Sequence, residues 1–244
     1  MKKIKNSVTT VASIILISLL HVQNVMSMGL RTFVALPIDK HGYVLRFSYE
    51  HLTSGDRENF ITSMAYGFSS YQALLIGIPY KVKSVDRDGL GYFSVLYRQI
   101  IIQNDFFSGT SRLALLAGAI VPSDKDRDPA VQTGLVYTFF KDRYEFDIDM
   151  LYQAGVDNRL DSGRYDISWQ YRLSPSLYPD WGIVPELNAV TELNGRWEKG
   201  NEITHQITIG LQLMNPTWVI EGGIVKNISN NNDLSVMLST RFHF

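Results

Sequence analysis

The feature that most constrains this chain is an alternation of apolar and polar residues with a period of two, repeated along its length. In one segment the apolar positions are Tyr165, Ile167, Trp169, Tyr171 and Leu173, and the polar positions between them are Asp166, Ser168, Gln170 and Arg172. Such alternation predicts a β-strand with one apolar and one polar face. The segments are about ten residues long, the length that a tilted strand needs to cross a bilayer and longer than a usual soluble strand.

Twelve segments with this pattern divide the chain into strands and connections. The predicted strands are 42–51, 60–68, 71–82, 90–103, 110–121, 130–140, 143–154, 164–173, 182–194, 202–214, 217–227 and 233–244. Long polar loops alternate with mostly shorter turns, as they do at the two ends of an outer-membrane barrel. The pattern therefore predicts an all-β fold, a single closed antiparallel transmembrane β-barrel with up-and-down topology over residues 42–244.

A secreted sandwich is the alternative for strands of this kind, and it would turn the apolar faces inward. In a bilayer the lipid solvates the apolar faces, and every backbone group must be paired in a closed sheet. Strand length, the unequal connections and the aromatic residues near the strand ends favour the membrane arrangement.

The first 27 residues have the composition of a secretory signal peptide. Three lysines precede an apolar run at 11–20 that is too short to span a bilayer, and Val25 and Ser27 suit cleavage after residue 27. We expect the cleaved chain to be located in the bacterial outer membrane. Residues 28–41 precede the first strand, either as a plug in the barrel mouth or as a partly ordered periplasmic segment, and we expect the latter.

The composition excludes several functional classes. The chain has no cysteine, which excludes disulfides, a thiolate metal site and a cysteine nucleophile. Its formal net charge of −1 provides no basic surface suited to nucleic acid. We expect no cofactor, no metal ion and no nucleic-acid partner.

The chain ends on an aromatic residue that follows alternating apolar positions. Phe242 and Phe244 close the last predicted strand. This ending resembles the recognition signal of bacterial outer-membrane β-barrels, which their assembly machinery reads. We therefore expect two partners, the lipids of the outer membrane and the barrel-assembly machinery acting on the C-terminal strand. The sequence leaves the oligomeric state open.

Four stretches are similar to one family of bacterial outer-membrane proteins. They are 96–98 (Leu-Tyr-Arg), 109–113 (Gly-Thr-Ser-Arg-Leu), 165–173 (Tyr-Asp-Ile-Ser-Trp-Gln-Tyr-Arg-Leu) and 239–244. On these stretches most of residues 30–244 resembles the family labelled as belonging to the meta pathway of phenol degradation, whose members are often called transporters. The resemblance implies a barrel and the passage of small organic compounds. It carries no catalytic motif, so it implies no site residue.

Charged residues on the polar faces of the predicted strands are expected to line the lumen. They are Arg46, Glu50, Arg98, Arg112, Glu145, Asp147, Asp149, Asp166, Arg172, Glu186, Glu192, Glu221 and Arg241. Charges inside such a tube must be paired or hydrated.

Antiparallel pairing predicts partners for several of these charges. The expected facing pairs are Glu145 with Arg172, Asp147 with Gln170 and Asp149 with Ser168, and the expected diagonal pair is Glu221 with Arg241. We expect such pairs to close the interior, because buried charges without partners are costly. The alternative is an acid-rich pore wall that favours cations or polar neutral solutes.

Three functions remain open from the sequence. The first, which we expect, is a passive channel or facilitator for small molecules, aromatic or hydrophobic ones among them, with an open bore lined by Tyr92, Leu96 and Ile100. The second is a non-conducting structural barrel. The third is an outer-membrane lipid-modifying enzyme, for which His205 is the candidate base, although no serine is clearly placed beside it. We expect no enzymatic activity and no catalytic residue.

Overall fold

The structure is a computed structural model that describes residues 29–53, 57–83, 89–124, 127–179, 182, 184–229 and 233–244. Its strands are β1 (Tyr43–Leu52), β2 (Glu58–Ser69), β3 (Gln72–Lys83), β4 (Gly89–Leu90), β5 (Phe93–Phe106), β6 (Gly109–Val121), β7 (Ala130–Lys141), β8 (Tyr144–Gly155), β9 (Ser162–Ser174), β10 (Glu186–Glu198), β11 (Thr204–Asn215), β12 (Trp218–Asn227) and β13 (Leu234–His243). The predicted signal peptide lies outside the described residues. No helix in these ranges is long and apolar enough to cross a bilayer.

The strands form one closed ring of antiparallel neighbours. Each long strand pairs with the next long strand along the chain, and the ring closes where β1 pairs with β13, with Phe47 opposite Thr240. The two-residue β4 pairs with β3 at Tyr80 and Lys81, so the other twelve strands make the barrel wall. The prediction of a closed up-and-down barrel of about 12 strands is confirmed.

Two strand positions differ from the prediction. The fourth predicted strand, 90–103, is β5 preceded by the short β4. The ninth, predicted at 182–194, is β10 at Glu186–Glu198, because Pro185 precedes it and has no N–H to add to a ladder. The connection between β9 and β10 therefore runs over 175–185, which makes it longer than the other turns at its end of the barrel.

The outer surface is apolar and carries aromatic pairs at both ends. Near the short turns, Tyr43 stacks on Phe244 with ring centroids 5.2 Å apart. Near the long loops, Tyr152 packs on Trp197 with centroids 6.0 Å apart. Apolar side chains exposed between these ends include Leu135, Ile209, Leu211, Ile220 and Leu238. An apolar band between two aromatic belts is the surface that a bilayer requires of a barrel.

Of residues 29–41, which we call the N-terminal segment, residues 29–38 lie inside the barrel and residues 39–41 are exposed at its end. Leu30, Thr32 and Ala35 are almost completely buried. The expected periplasmic tail is therefore wrong for these residues, and the alternative, a plug, is observed. The physical reason is that apolar side chains of the segment meet apolar side chains on the inner wall, which a free tail would leave in water. Leu151, which interrupts the alternation of β8, belongs to this inner apolar surface.

Candidate functional site

A glycine socket holds the start of the N-terminal segment. Gly210 on β11 and Gly223 on β12 are opposite each other, so two adjacent side chains are missing from the wall. Leu30 fills that space, because a Cβ on Gly210 would lie 2.7 Å from its Cδ1 and a Cβ on Gly223 would lie 3.2 Å from it. Leu30 also belongs to a buried cluster with Val190, Val225 and Met237.

Acidic side chains of the wall fasten the backbone of the segment. The Arg31 N–H donates to Glu192 Oε2 at 3.0 Å, and the Phe33 N–H donates to Asp149 Oδ2 at 2.7 Å. Both acids were assigned to the lumen from the sequence. In the structure they accept hydrogen bonds from the segment.

The later part of the segment covers the short-turn end of the lumen. The Ala35 N–H donates to Thr138 Oγ1 at 2.9 Å, and the His41 N–H donates to the Gly67 carbonyl oxygen at 2.8 Å. A Cβ on Gly67 would lie 2.8 Å from the Ile38 carbonyl oxygen. The chain therefore lies flat on β2 before it turns into β1.

Two clusters of ion pairs fill the side of the lumen toward β8–β13. In the first, Glu221 accepts a hydrogen bond from Arg241 Nη2 at 2.9 Å and pairs with Arg46 Nη2 at 2.6 Å. In the second, Asp166 pairs with Arg196 Nη1 at 2.6 Å, and Arg164 joins Asp166 to Asp149 at 3.2 Å and 3.5 Å. The diagonal contact between Glu221 and Arg241 is the one expected from the sequence.

The charged residues assigned to the lumen differ in their burial. Arg98, Arg112, Glu145, Asp147, Asp149, Asp166, Arg172, Glu192, Glu221 and Arg241 are buried, and Arg46, Glu50 and Glu186 are half-buried. The Glu221 and Asp166 clusters include five of these residues, Arg46, Asp149, Asp166, Glu221 and Arg241. Others lie apart from the clusters: Arg98 donates to the Val34 carbonyl oxygen at 2.6 Å, and Arg112 lies 3.5 Å from Asp105.

The three facing pairs predicted between β8 and β9 are wrong. Glu145 faces Gln170, Asp147 faces Ser168 and Asp149 faces Asp166, so the register is shifted by two residues. The cause is the connection between the strands, which is shorter than expected. The Gly155 N–H donates to Asp161 Oδ1 at 3.0 Å, and β9 begins at Ser162, opposite Gln153.

Arg172 does not face its predicted partner Glu145 and instead contacts residues at the short-turn end. Its guanidinium donates to the Tyr178 hydroxyl oxygen and lies over the Tyr178 ring, 4.2 Å from the ring centroid. Tyr178 in turn donates to Glu186 Oε1 at 2.6 Å. The turn over 175–185 is thereby tied to the end of the lumen.

Sequence reasoning missed three arginines that the structure places in the lumen: Arg31, Arg164 and Arg196. Each lies at or beyond the edge of a predicted strand. Arg164 begins the predicted strand 164–173, Arg196 follows the predicted strand 182–194, and Arg31 belongs to the predicted tail. The sequence showed that these residues are charged. It could not assign them to the lumen, because that assignment depends on where each strand begins and ends.

A cavity of about 540 Å³ lies between the N-terminal segment and the wall formed by β1, β2, β3 and β5. Small side chains line the wall here, namely Ser48, Ser63, Ala65, Gly77 and Ser94. The cavity exists because these residues do not reach the segment, whereas larger paired side chains reach it from β8–β13.

The charged groups that face this cavity are mostly arginines. Arg46, Arg164 and Arg196 line it, with side chains that are 15%, 19% and 33% exposed. The carboxylates that pair with them are 0% exposed, namely Asp149, Asp166 and Glu221. Glu50 is the one acid among the described residues that line the cavity, beside five arginines, so the alternative of an acid-rich wall is wrong for this cavity.

A second space, of about 110 Å³, lies toward the long loops. It shares Glu50, Asn59 and Gln206 with the larger cavity. The Arg31 guanidinium pairs with Glu50 and donates from Nη1 to Gln206 Oε1 at 2.6 Å. Because Arg31 links two of the shared residues, a side chain rather than backbone separates the two spaces.

The bore expected along Tyr92, Leu96 and Ile100 is occupied. Leu96 and Ile100 are buried in one cluster with Ala35 of the segment. The Tyr92 ring lies against the Arg159 guanidinium, 4.2 Å from the ring centroid. Of these three residues only Leu96 also lines the large cavity, so the open space lies toward β1, β2, β3 and the start of β5.

The candidate base His205 contacts other groups on the outer face of the barrel. Its Nδ1 lies 2.8 Å from the Tyr165 hydroxyl, and its backbone N–H donates to Ser229 Oγ at 2.7 Å. The Ser229 hydroxyl thus contacts the backbone of His205. A nucleophile would need a hydrogen bond to the imidazole instead. Among the described residues, no group of three His, Asp or Glu side chains could hold a metal ion.

No protein-family model matches the chain, and no curated protein sequence matches it. Solved structures do. A KdgM porin in complex with disordered oligogalacturonate is 10% identical with a TM-score of 0.54, over 82% of this chain and 99% of that chain. The NanC porin is 10% identical with a TM-score of 0.53, over 81% of this chain and 98% of that chain. The fold is that of the outer-membrane porins. At this identity the likeness is one of architecture.

Proposed function

We propose that this protein is a passive outer-membrane channel for small molecules, and that solutes pass through the cavity between the N-terminal segment and β1–β5. The observation that carries the proposal is the cavity of about 540 Å³ inside a closed barrel. A barrel filled by its own side chains would leave no such space, and twelve strands make a ring wide enough to hold both a segment and a path beside it.

The distribution of ion pairs supports this path. The Glu221 and Asp166 clusters occupy one side of the lumen with fully buried carboxylates. The other side carries short side chains such as Ser63 and Gly77. Ion pairs that fill only part of a lumen stabilise the wall without closing the whole bore.

The N-terminal segment is the constriction on this path. At the short-turn end it lies on Gly67, so a solute that has entered the cavity needs the stretch near residues 36–41 to move aside. The contacts there are mainly backbone hydrogen bonds at the surface of β2, and such contacts open at lower cost than a packed core.

We also propose where the protein is located and what it contacts, namely the lipids of the outer membrane and the barrel-assembly machinery. The apolar band with aromatic ends suits the bacterial outer membrane, where lipid would solvate it. Phe242 and Phe244 lie at the end of the C-terminal strand with partly exposed side chains, where the assembly machinery can reach them. Passage of aromatic or hydrophobic compounds, which the family resemblance implies, stays a prediction.

Filling the cavity tests the path. Ser63→Trp places a bulky side chain in the cavity. Thr62→Trp places the same side chain on the preceding residue of β2, which faces outward. In swelling assays on proteoliposomes with a small neutral solute, we expect wild type and Thr62→Trp to admit the solute and Ser63→Trp to slow its entry several-fold. Equal rates for the two tryptophan variants would place the path elsewhere.

A non-conducting structural barrel is the competing function, and the buried ion pairs together with the plug favour it. It predicts that folded wild-type protein admits no solute in the same assay. Heat-modifiable mobility of each variant on gels provides the check that the barrel has folded.

A further inference from the structure

The cavity has a charged side and an apolar side. Arg164 and Arg196 line it from β9 and β10, and Ile61 and Leu75 line it from β2 and β3. In the ring, β9 lies six strand steps from β2 through β1, β13, β12, β11 and β10. Half of a twelve-stranded ring separates them, so the arginines and the apolar residues face the cavity from opposite walls.

The apolar side is exposed to the lumen. Ile61 is on the inward face of β2, opposite Ser48, and is nevertheless 39% exposed. By contrast, Leu96 and Leu116 on the inner wall are packed in a buried cluster. An exposed apolar surface in a concave site is the usual contact surface for an organic ligand.

Arg46, on β1 beside the apolar side, also presents a guanidinium to the cavity. Two guanidiniums, of Arg46 and Arg241, share the Glu221 carboxylate. Of the three side chains, Arg46 is 15% exposed and the other two are 0% exposed. A guanidinium that faces open space beside a buried, shared carboxylate can donate further hydrogen bonds to an anion.

We propose that this cavity binds small organic anions in which a carboxylate is attached to a single apolar ring or a short apolar chain. The carboxylate accepts hydrogen bonds from Arg46 or Arg196, and the apolar body contacts Ile61 and Leu75. The cavity volume lies within the usual range of small-molecule sites. That such anions are the solutes carried rests on the proposed channel function, whereas binding itself does not.

Equilibrium binding to the folded full-length protein in detergent tests this site. The probes are benzoate and benzyl alcohol, which share a ring and differ in charge. We expect calorimetry to show saturable benzoate binding, about tenfold or more tighter than that of benzyl alcohol, because charge-assisted hydrogen bonds are strong. We expect Arg46→Gln and Arg196→Gln each to weaken benzoate binding about tenfold, and Arg159→Gln, which changes an arginine in a long loop, to leave it unchanged.

Three outcomes would overturn the inference: no benzoate binding, equal binding of the two probes, or binding that neither cavity arginine affects. Two arginine variants are used so that the test survives if one of them fails to fold. When Arg196 is replaced, Asp166 still pairs with Arg164, so we expect this variant to fold. Benzoate binding in a protein that conducts nothing would support the site while refuting the channel. Conduction without benzoate binding would support the channel while refuting the binding site.

Discussion

The side chain of Leu30 occupies the space that a side chain on Gly210 would need, with Cδ1 2.7 Å from the position of the missing Cβ. The N-terminal segment and the barrel wall are therefore fitted to each other at this point. A glycine pair on two adjacent strands is costly for a sheet unless something packs into the gap. Here the gap is filled by a residue that comes before the first strand.

Replacing Leu30 by alanine should loosen the N-terminal segment while leaving the barrel closed. The change empties the socket and removes roughly 2–5 kcal/mol of packing. We expect amide hydrogen exchange over residues 31–35 to accelerate at least several-fold, with little change in the strands. Leu177→Ala is the control, because Leu177 is 84% exposed in a turn. Unchanged exchange in the segment would show that the socket does not anchor it.

Two glycines of neighbouring strands should respond differently to alanine. At Gly67 the new Cβ would clash with the Asp39 carbonyl oxygen and lie 2.8 Å from the Ile38 carbonyl oxygen, whereas at Gly77 the nearest atom is Ser94 Cβ at 3.8 Å. We expect Gly67→Ala to lower the free energy of unfolding by roughly 1–3 kcal/mol and Gly77→Ala to leave it nearly unchanged. Urea unfolding in detergent measures both. The reverse order would contradict the packing of the segment on β2.

Glu221 should matter more for stability than either arginine that it binds. Glu221→Gln leaves Arg46 and Arg241 facing each other without their carboxylate, and removing one partner of a buried ion pair costs roughly 3–5 kcal/mol. Arg46→Gln leaves the contact between Glu221 and Arg241 intact, so we expect a smaller loss. The unfolding free energies of the two variants, measured side by side, decide this, and equal losses would argue against a shared carboxylate.

Tyr178 should lose its proton only at strongly alkaline pH. Burial, together with the hydrogen bond to Glu186, raises the pKa of Tyr178 to about 12. Because the folded pKa lies above the ordinary tyrosine pKa of 10.0, the protonated hydroxyl stabilises the fold fully below pH 10.0 and loses this contribution as pH rises toward 12. The difference between tyrosinate absorbance titrations of wild type and Tyr178→Phe should have its midpoint near the raised value. A midpoint near 10 would mean that the tie to Glu186 does not form in solution.

Much of the barrel could be predicted because each strand is specified by residues that are adjacent in sequence. The alternation of side chains along each strand fixes which face meets lipid, and the number of strands and their order follow from counting the segments. Register could not be predicted from the same pattern. The contact between Gly155 and Asp161 shortens one loop, and a shift of two residues keeps every side chain on its own face.

The contents of the lumen were harder to predict because they depend on contacts that are distant in sequence. Leu30 meets glycines on β11 and β12, and Phe33 bonds to Asp149 on β8. Nothing in the local pattern of residues 29–41 indicates these partners. The same holds for the cavity charge: the acids outnumber the arginines in the predicted list of lumen residues, but burial decides which of them face open space.

Single-channel recording tests the central claim most directly. Wild type would be compared in planar bilayers with a variant that lacks residues 29–41, both with the mobility of a folded barrel. We predict a small unitary conductance for wild type and a conductance several-fold larger for the shortened chain, because the segment covers the short-turn end of the cavity and must move aside for a solute to pass. Silent membranes for both folded proteins would contradict the account.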